Sequence, residues 1–374
     1  MAYTVKEILI TDKSEFKKFY QFQNKLYRDC KTYVPSFDFD QKKTLSQSPP
    51  LDYCRQKLFL AYDGKRVVGR VLAVINPRYN ELYDTRRIRF GWFDFENDFE
   101  IAKMLIDAVE DWGRQEGMVD MHGPLGYNTM YRQGMVVEGF DSVPPVNCLY
   151  NYPYYPEFMD KMGFEKECDW IQYKLNAMQG APEKLKKMSK LLLERYDLKV
   201  VDVKKLIKNQ DLIHDFFYNF NRSFMSVHNF IPLTEKEIAE EGRLYISQMR
   251  SELTCFVMDA DDKIASFGIC TPDMSRAFKK ANGKIFPLGW AYILWAKSHY
   301  KGIDLMMVGS DPKWKDKGLS AIFHTQLAAE FSERGIEYGI TNPQVETNAA
   351  VKVWDSYPDR EDYIRRRCYI KNIK

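Results

Sequence analysis

The sequence has no CxxC pair, no GxSxG turn, no long glycine-rich loop and no low-complexity stretch. Its seven cysteines (Cys30, Cys54, Cys148, Cys168, Cys255, Cys270 and Cys368) are odd in number and far apart. That spacing indicates neither a structural zinc site nor a disulfide framework, so free thiols in a reducing, cytoplasmic setting are expected. Five histidines, His122, His214, His228, His299 and His324, show no ligand spacing, and no metal is expected. No apolar run approaches the roughly 18 residues of a spanning helix. The opening MAYTVKEILITDKSEF lacks a basic stretch followed by an apolar core, so a secretory leader is not expected. A net charge of +3 is too close to balance to imply a DNA partner.

What is present is ordinary globular composition, 45% hydrophobic and 29% charged, over 374 residues, a length that suits two domains. Two stretches echo each other. Residues 57–77 (KLFLAYDGKRVVGRVLAVINP) hold two apolar runs around Asp63-Gly64, and residues 253–272 (LTCFVMDADDKIASFGICTP) hold two around Asp259 to Asp262. Both read as hairpins. Each is followed by a strand (88–96; 303–310) and then by a helix. In the first helix Phe99, Ala102, Leu105, Ile106, Val109 and Trp112 fall at helical spacing; in the second Leu319, Ile322, Phe323, Leu327 and Phe331 do. Gly117 and Gly335 end these helices, and each half closes with a strand, a short helix and further strands. The order therefore occurs twice. It predicts an α/β (α+β) chain of two similar domains, 1–177 and 178–374, each a mixed, mostly antiparallel twisted sheet with flanking helices. The joint lies near NAMQGAP, 176–182.

The loops that open the two helices differ in charge. The second reads Pro312-Lys313-Trp314-Lys315-Asp316-Lys317-Gly318-Leu319-Ser320, net +2 from 313 to 320. The first, Phe93-Asp94-Phe95-Glu96-Asn97-Asp98, has no glycine, and nine acids against two bases lie between Trp92 and Asp120. Glycine lets backbone N–H groups approach a phosphate at a helix mouth, and lysines help to neutralise it.

This order, with Lys315-x-x-Gly318-x-Ser320 at the helix start, resembles the GNAT fold of acyl-CoA N-acyltransferases. The segments 27–45, 58–81, 121–144 and 151–170 resemble a group of full-length bacterial GNAT-like proteins, some of them linked to N-acylation of sphingoid bases in ceramide synthesis. The resemblance implies that the C-terminal domain binds acyl-CoA, or an acyl group on a carrier protein, through Lys313, Lys315, Lys317, Gly318, Leu319, Ser320 and Asn348. The N-terminal domain, its cofactor loop degenerate, would face the acceptor, a primary amine such as a long-chain or sphingoid-like one.

Amide formation from a thioester needs a route for the amine's proton and an acid for the thiolate. Glu346 is the expected base. Thr347-x-x-Ala350-x-x-x-Trp354 parallels a family pattern that ends in tyrosine. Indole cannot protonate a thiolate, so Tyr357 and Tyr363 become the candidate acids. His122 and Asn128, both in MHGPLGYN, and Asp273, after a strand end, are candidate acceptor-site residues. The net +5 of 182–208 and the six bases of 360–374 suit contact with an acidic carrier protein or an anionic membrane surface, and so a cytoplasmic protein peripheral at the inner membrane. Fem-like aminoacyl transfer and a non-catalytic tandem binding protein are the alternatives.

Overall fold

The computed structural model describes residues 3–374, apart from the side chains at 205, 210, 241, 243, 244, 349 and 350. In chain order the strands are β1 Thr4–Ile8, β2 Arg55–Asp63, β3 Arg66–Ile75, β4 Arg87–Phe95, β5 Asp120–Gly123, β6 Met135–Glu138 and β7 Glu165–Asn176. They continue with β8 Lys199–Val201, β9 Thr254–Met258, β10 Ile264–Pro272, β11 Gly302–Ser310, β12 Tyr338–Thr341, β13 Gln344–Val345 and β14 Glu361–Asn372. The helices are α1 Lys13–Leu26, α2 Asp38–Gln47, α3 Pro77–Leu82, α4 Phe99–Gln115, α5 Tyr154–Lys161, α6 Glu183–Arg195, α7 Val203–Ile207, α8 Gln210–Phe224, α9 Glu235–Glu237, α10 Arg243–Gln248, α11 Ser275–Ala281, α12 Gly289–Ser298 and α13 Ser320–Glu333.

Two compact units interleave along the chain. One comprises Met1–Ile171, Met274–Trp295 and Ile364–Lys374; the other comprises Gln172–Asp273 and Ala296–Tyr363. In the first, β1 to β4 run antiparallel in sequence, β4 and β5 pair in parallel, and the end of β14 pairs antiparallel with β5. In the second, β8 to β11 pair antiparallel, β11 and β12 pair in parallel, and the end of β7 pairs antiparallel with β12. A long crossover is what a parallel pair requires, and α4 and α13 supply it.

The hairpins form where two continuous apolar runs meet an acidic turn. The crossover helices form where the apolar stripe meets the sheet. Ile101, Leu105, Ile106, Val109 and Trp112 of α4 are buried in a core with Val71, Ile88 and Phe90. In α13 the buried face is Ile322, Phe323, Leu327 and Phe331. Burying each such side chain is worth about 1.5–3 kcal/mol before the entropy of ordering is subtracted.

The closing strands are exchanged. β7 leaves the first unit after Ile171 and lays Leu175 and Asn176 beside Gly339 and Tyr338, while β14 enters the first unit at Ile364 and pairs Ile370 with His122. Residues 274–295, between β10 and β11, also belong to the first unit. There Lys279 Nζ donates to the Lys31 carbonyl at 2.6 Å, and the Phe278 and Phe37 ring centroids lie 4.6 Å apart. All seven cysteines are free; six are buried and Cys30 is half-buried.

Candidate active site

In the second unit, the chain enters α13 through a loop that leaves its backbone donors open. Asp311 caps the preceding turn, its side chain accepting from Lys313 N at 2.8 Å and from Arg222 at 3.1 Å. Trp314 N, Lys315 N and Lys317 N find carbonyls within the loop. Gly318 then takes a positive φ of 75°, and Leu319 follows at φ −58° as the helix N-cap without a side-chain cap. A left-handed residue followed by a right-handed one points successive N–H groups to one side. Among the described residues, the N–H groups of Gly318, Leu319 and Ser320 have no acceptor, and they carry the positive end of a 14-residue helix.

The three lysines divide. Lys317 Nζ sits 4.6 Å from the Trp314 ring centroid and 5.0 Å from that of Tyr196. Lys313 Nζ lies 5.5 Å from Trp314 and 3.4 Å from the Asp259 carboxylate. Lys315 is exposed and has no ion-pair partner among the described residues. Trp314, buried, is thus the platform that holds two of the charges on the loop. The sequence did not mark it for that role.

The equivalent mouth in the first unit is already filled. Asp98 caps α4, accepting from Glu100 N at 2.9 Å and from Tyr3 OH at 2.8 Å, and Glu100 adds a second acid to the first turn. A carboxylate on the Glu100 N–H takes the place a phosphate would need there.

Next to the α13 mouth the sheet opens. β11 and β12 pair from Gly302↔Tyr338 to Leu305↔Thr341, and Asn342 N still reaches Leu305 O at 2.9 Å. Beyond that point β11 runs on to Ser310 while β12 ends. On the other side, the β10–β11 register slips between Ile269 and Cys270, so that Met307 and Leu305 face consecutive residues of β10. One residue before the strands part lies Asp304. It is 3% exposed, and among the described residues neither carboxylate oxygen has a hydrogen-bond partner. Burial, and then the neighbouring charge of Asp273, hold its pKa well above the usual carboxylate range. Asp273 itself accepts from Tyr338 OH at 2.6 Å. Sequence reasoning missed Asp304, although a single aspartate inside the apolar run IDLMMVGS is the signal that marks it. At the same register step in the first unit, opposite His122, stands Arg89. It is fully buried, its Nη1 shared between the carbonyls of Gly126 and Tyr127 at 3.2 Å.

The other sequence candidates fall into separate places. Glu346 is half-buried in the turn after β13, and Asn348 is exposed one turn on, its N–H bonded to Val345 O at 2.9 Å. Ala350 of the Thr347 to Trp354 pattern lies outside the described side chains. Trp354 is buried and donates Nε1–H to Gln344 at 2.9 Å. Tyr357 OH lies 2.9 Å from His324 Nδ1, and both residues line an apolar pocket of about 420 Å³, partly open to solvent, with Leu305, Phe323 and Leu327. Burial pulls His324 down to about 4, so the ring is neutral, and pushes the Tyr357 phenol above its usual range. Tyr363 is half-buried on β14.

In the first unit, Asn128 is buried with its side-chain oxygen accepting from Met130 N at 2.8 Å, a turn-forming bond. His122 is fully buried, its Nδ1 3.0 Å from Glu167, which also accepts from Arg87 at 2.7 Å and from Cys368 Sγ at 3.0 Å. His122, Glu167 and Cys368 are the group of metal-type donors found among the described residues, within 4.8 Å of one another. Their carboxylate is taken up by Arg87 and the thiol, and burial pulls His122 down to about 4.

Comparison with known proteins meets this geometry. A tandem GNAT protein from the clavulanic acid biosynthesis pathway superposes with a TM-score of 0.58 over 100% of this chain and 99% of its own, at 11% identity. The fold is that of a tandem GNAT protein. Protein YghO of Escherichia coli (strain K12) is 24% identical over 373 residues, covering 97% of this chain and 94% of its own. The bacterial ceramide synthase of Caulobacter vibrioides is 24% identical over 296 residues, 75% of this chain and 73% of its own. No protein-family model matches the chain. Within the tandem GNAT fold, α4 and α13 are the two crossover helices, and the open mouth is the second.

Proposed function

We propose that the protein is a GNAT-type N-acyltransferase that moves an acyl group from acyl-CoA, or from an acyl carrier protein, to a primary amine. The observation that carries this reading is the pair of unequal helix mouths. One presents three unpartnered N–H groups beside Lys315, and the other is closed by Asp98. We assign the donor to the C-terminal stretch 178–374 and give 1–177 a part in shaping the acceptor side. Lys313, Lys315 and Lys317 neutralise the donor's phosphates, Gly318, Leu319 and Ser320 bind them through backbone, and Asn348 lies toward the pantetheine arm.

In the reaction the amine nitrogen attacks the thioester carbonyl, the C–S bond breaks, and the carbon chain leaves the thiol as an amide. The ammonium proton must be lost before attack. Asp304 is the group best placed to take it. Its carboxyl sits where the strands part, no other group occupies its oxygens, and its raised pKa makes it a stronger base than a solvated aspartate. Asp273, steadied by Tyr338, lies beside it and adds a second carboxyl group to the site. Glu346, half-exposed, is the outer carboxylate of the same unit. The leaving thiolate needs a proton, for which Tyr357, bonded to His324, is the proposed donor, with Tyr363 further along the chain, and the second proton that the nitrogen loses as the amide forms replaces the one the tyrosine gives up. His122 and Asn128 shape the acceptor side through the first unit.

A long-chain, sphingoid-like amine is the acceptor we favour, supported by the likeness to the ceramide synthase and by an aromatic content of 15%. The protein would then work in the cytoplasm, with the basic stretches 182–208 and 360–374 turned to an acidic carrier protein or the membrane face.

Isothermal titration with CoA tests the donor half. The expected result is one binding site, weakened by at least about tenfold in Lys315→Glu/Lys317→Glu through loss of charge at a phosphate site. Absence of binding by the wild type, or equal binding by the variant, contradicts it. An assay over a panel of acyl-CoAs and amines then finds turnover only where both substrates are present.

A further inference from the structure

Residues 274–303 contain six bases, Arg276, Lys279, Lys280, Lys284, Lys297 and Lys301, and no acid. Within that run the side chains of Phe286, Leu288, Trp290, Leu294 and Trp295 stand in solvent, Phe286 at 77%, Trp290 at 48% and Trp295 at 59% of full exposure. The segment is anchored at its base. α11 buries Ala277 and Ala281, Phe278 packs on Phe37, and Asp38 N bonds to Gly283 O at 3.1 Å. Its outer part is equally ordered. Phe286-Pro287 leads into the ten-residue α12, and Trp290 Nε1 donates to Pro287 O at 2.9 Å, which fixes the indole outward. Lys297, seven residues after Trp290, shares its side of the helix.

Scattered exposed apolar residues need no explanation, but five large ones within ten positions do. A second protein would have to cover them with an acidic rim to match the six bases. An anionic bilayer satisfies both features at once. Tryptophan is favoured at the headgroup level, where the ring is apolar and its N–H stays polar, and lysine stems reach along the apolar layer to the phosphates. Trp290 and Trp295 have that character, and Lys280, Lys284 and Lys297 flank them.

We propose that residues 284–298 are a membrane-docking element, laying Phe286, Leu288, Trp290, Leu294 and Trp295 into the interface of an anionic phospholipid bilayer. The inference stands on the surface alone and does not depend on the acyl-transfer reading.

The test uses the full chain with vesicles of phosphatidylcholine, with and without phosphatidylglycerol. Wild-type protein is expected to co-sediment with the anionic vesicles, to show a blue shift of tryptophan emission, and to be quenched by lipids brominated near the headgroup. The shift reports Trp290 and Trp295, because Trp112, Trp170, Trp314 and Trp354 are buried and Trp92 is half-buried. Phe286→Ser/Trp290→Ser/Trp295→Ser is expected to lose at least about tenfold in partitioning. Lys284→Glu/Lys297→Glu, which leaves the apolar residues in place, is expected to lose the preference for phosphatidylglycerol, with an unchanged far-UV spectrum in both variants. The proposal fails if the wild type stays in the supernatant with both vesicles or shows no quenching. It also fails if the charge-reversed variant keeps the preference. A change in the sedimentation coefficient of the lipid-free serine variant would instead assign the patch to a second copy of this chain and overturn the proposal.

Discussion

Gly318→Val is expected to weaken CoA binding by at least about tenfold, while Gly335→Ala leaves the affinity at the wild-type level. Both glycines flank α13 with positive φ, 75° and 65°. A left-handed conformation costs an ordinary residue about 1–2 kcal/mol, and a β-branched one more. At Gly335 nothing lies within 4 Å of an added Cβ, so the cost falls on stability alone. At Gly318 relief of the strain turns the N–H groups of Gly318, Leu319 and Ser320 away from a common target. Steric crowding is the lesser effect there, because the atom a Cβ would meet, 2.0 Å away, is the mobile Met188 Cε. Titration calorimetry on the three proteins, with melting curves beside it, separates lost binding from lost stability.

Asp304→Asn is expected to do two opposite things. Turnover, kcat/KM, should fall by about 10²–10⁴, the usual contribution of a positioned base, with CoA affinity unchanged. Stability at neutral pH should rise by on the order of 1–3 kcal/mol, because a buried carboxylate without a partner is removed. The sign follows from linkage. The folded pKa of Asp304 is raised above the unfolded 3.8, so the stability of the wild type is intact below 3.8 and is lost as pH rises through the folded value. The gap between variant and wild type is therefore small in acid and opens with increasing pH. Melting curves across pH and steady-state kinetics test both halves. Unchanged turnover in a stabilised Asp304→Asn removes the catalytic role and leaves only a strained core. A parallel Glu346→Gln, on a half-exposed turn, is expected to lose less than about tenfold.

Much of this organisation is legible in the sequence. The hairpins are announced by pairs of apolar runs around Asp63-Gly64 and Asp259 to Asp262, and α4 and α13 by their apolar stripes. Local chemistry also marks Gly318, since the residue stands directly before a helical period. What escapes sequence reasoning is non-local. The exchange of β7 and β14 depends on which distant edge each strand finds, and nothing in ECDWIQYKL or DYIRRRCYI records the partner. The fold leaves Trp290, Leu294 and Trp295 of α12 in solvent, which their apolar character alone does not foretell. In α6, within the basic stretch 182–208, Leu185 and Leu192 are buried and Leu191 is exposed. His122 reads as an acceptor-site candidate at the end of a short strand, and the strand register buries it against Glu167.

The two units share one strand order but differ at both chemical positions. The crossover mouth is open at Gly318 and filled at Asp98, and the central strand carries Asp304 in one and Arg89 in the other. A guanidinium cannot receive a proton from an amine, so the proposed base has no counterpart at that register step of the first unit.

The most direct measurement is a crystal structure of the protein soaked with CoA. The account predicts the pyrophosphate on the N–H groups of Gly318, Leu319 and Ser320, with the pantetheine arm between β11 and the chain after Thr341. Density for the pyrophosphate at Asp98 and Phe99, or a mouth of α13 that stays empty at saturating CoA, would contradict it.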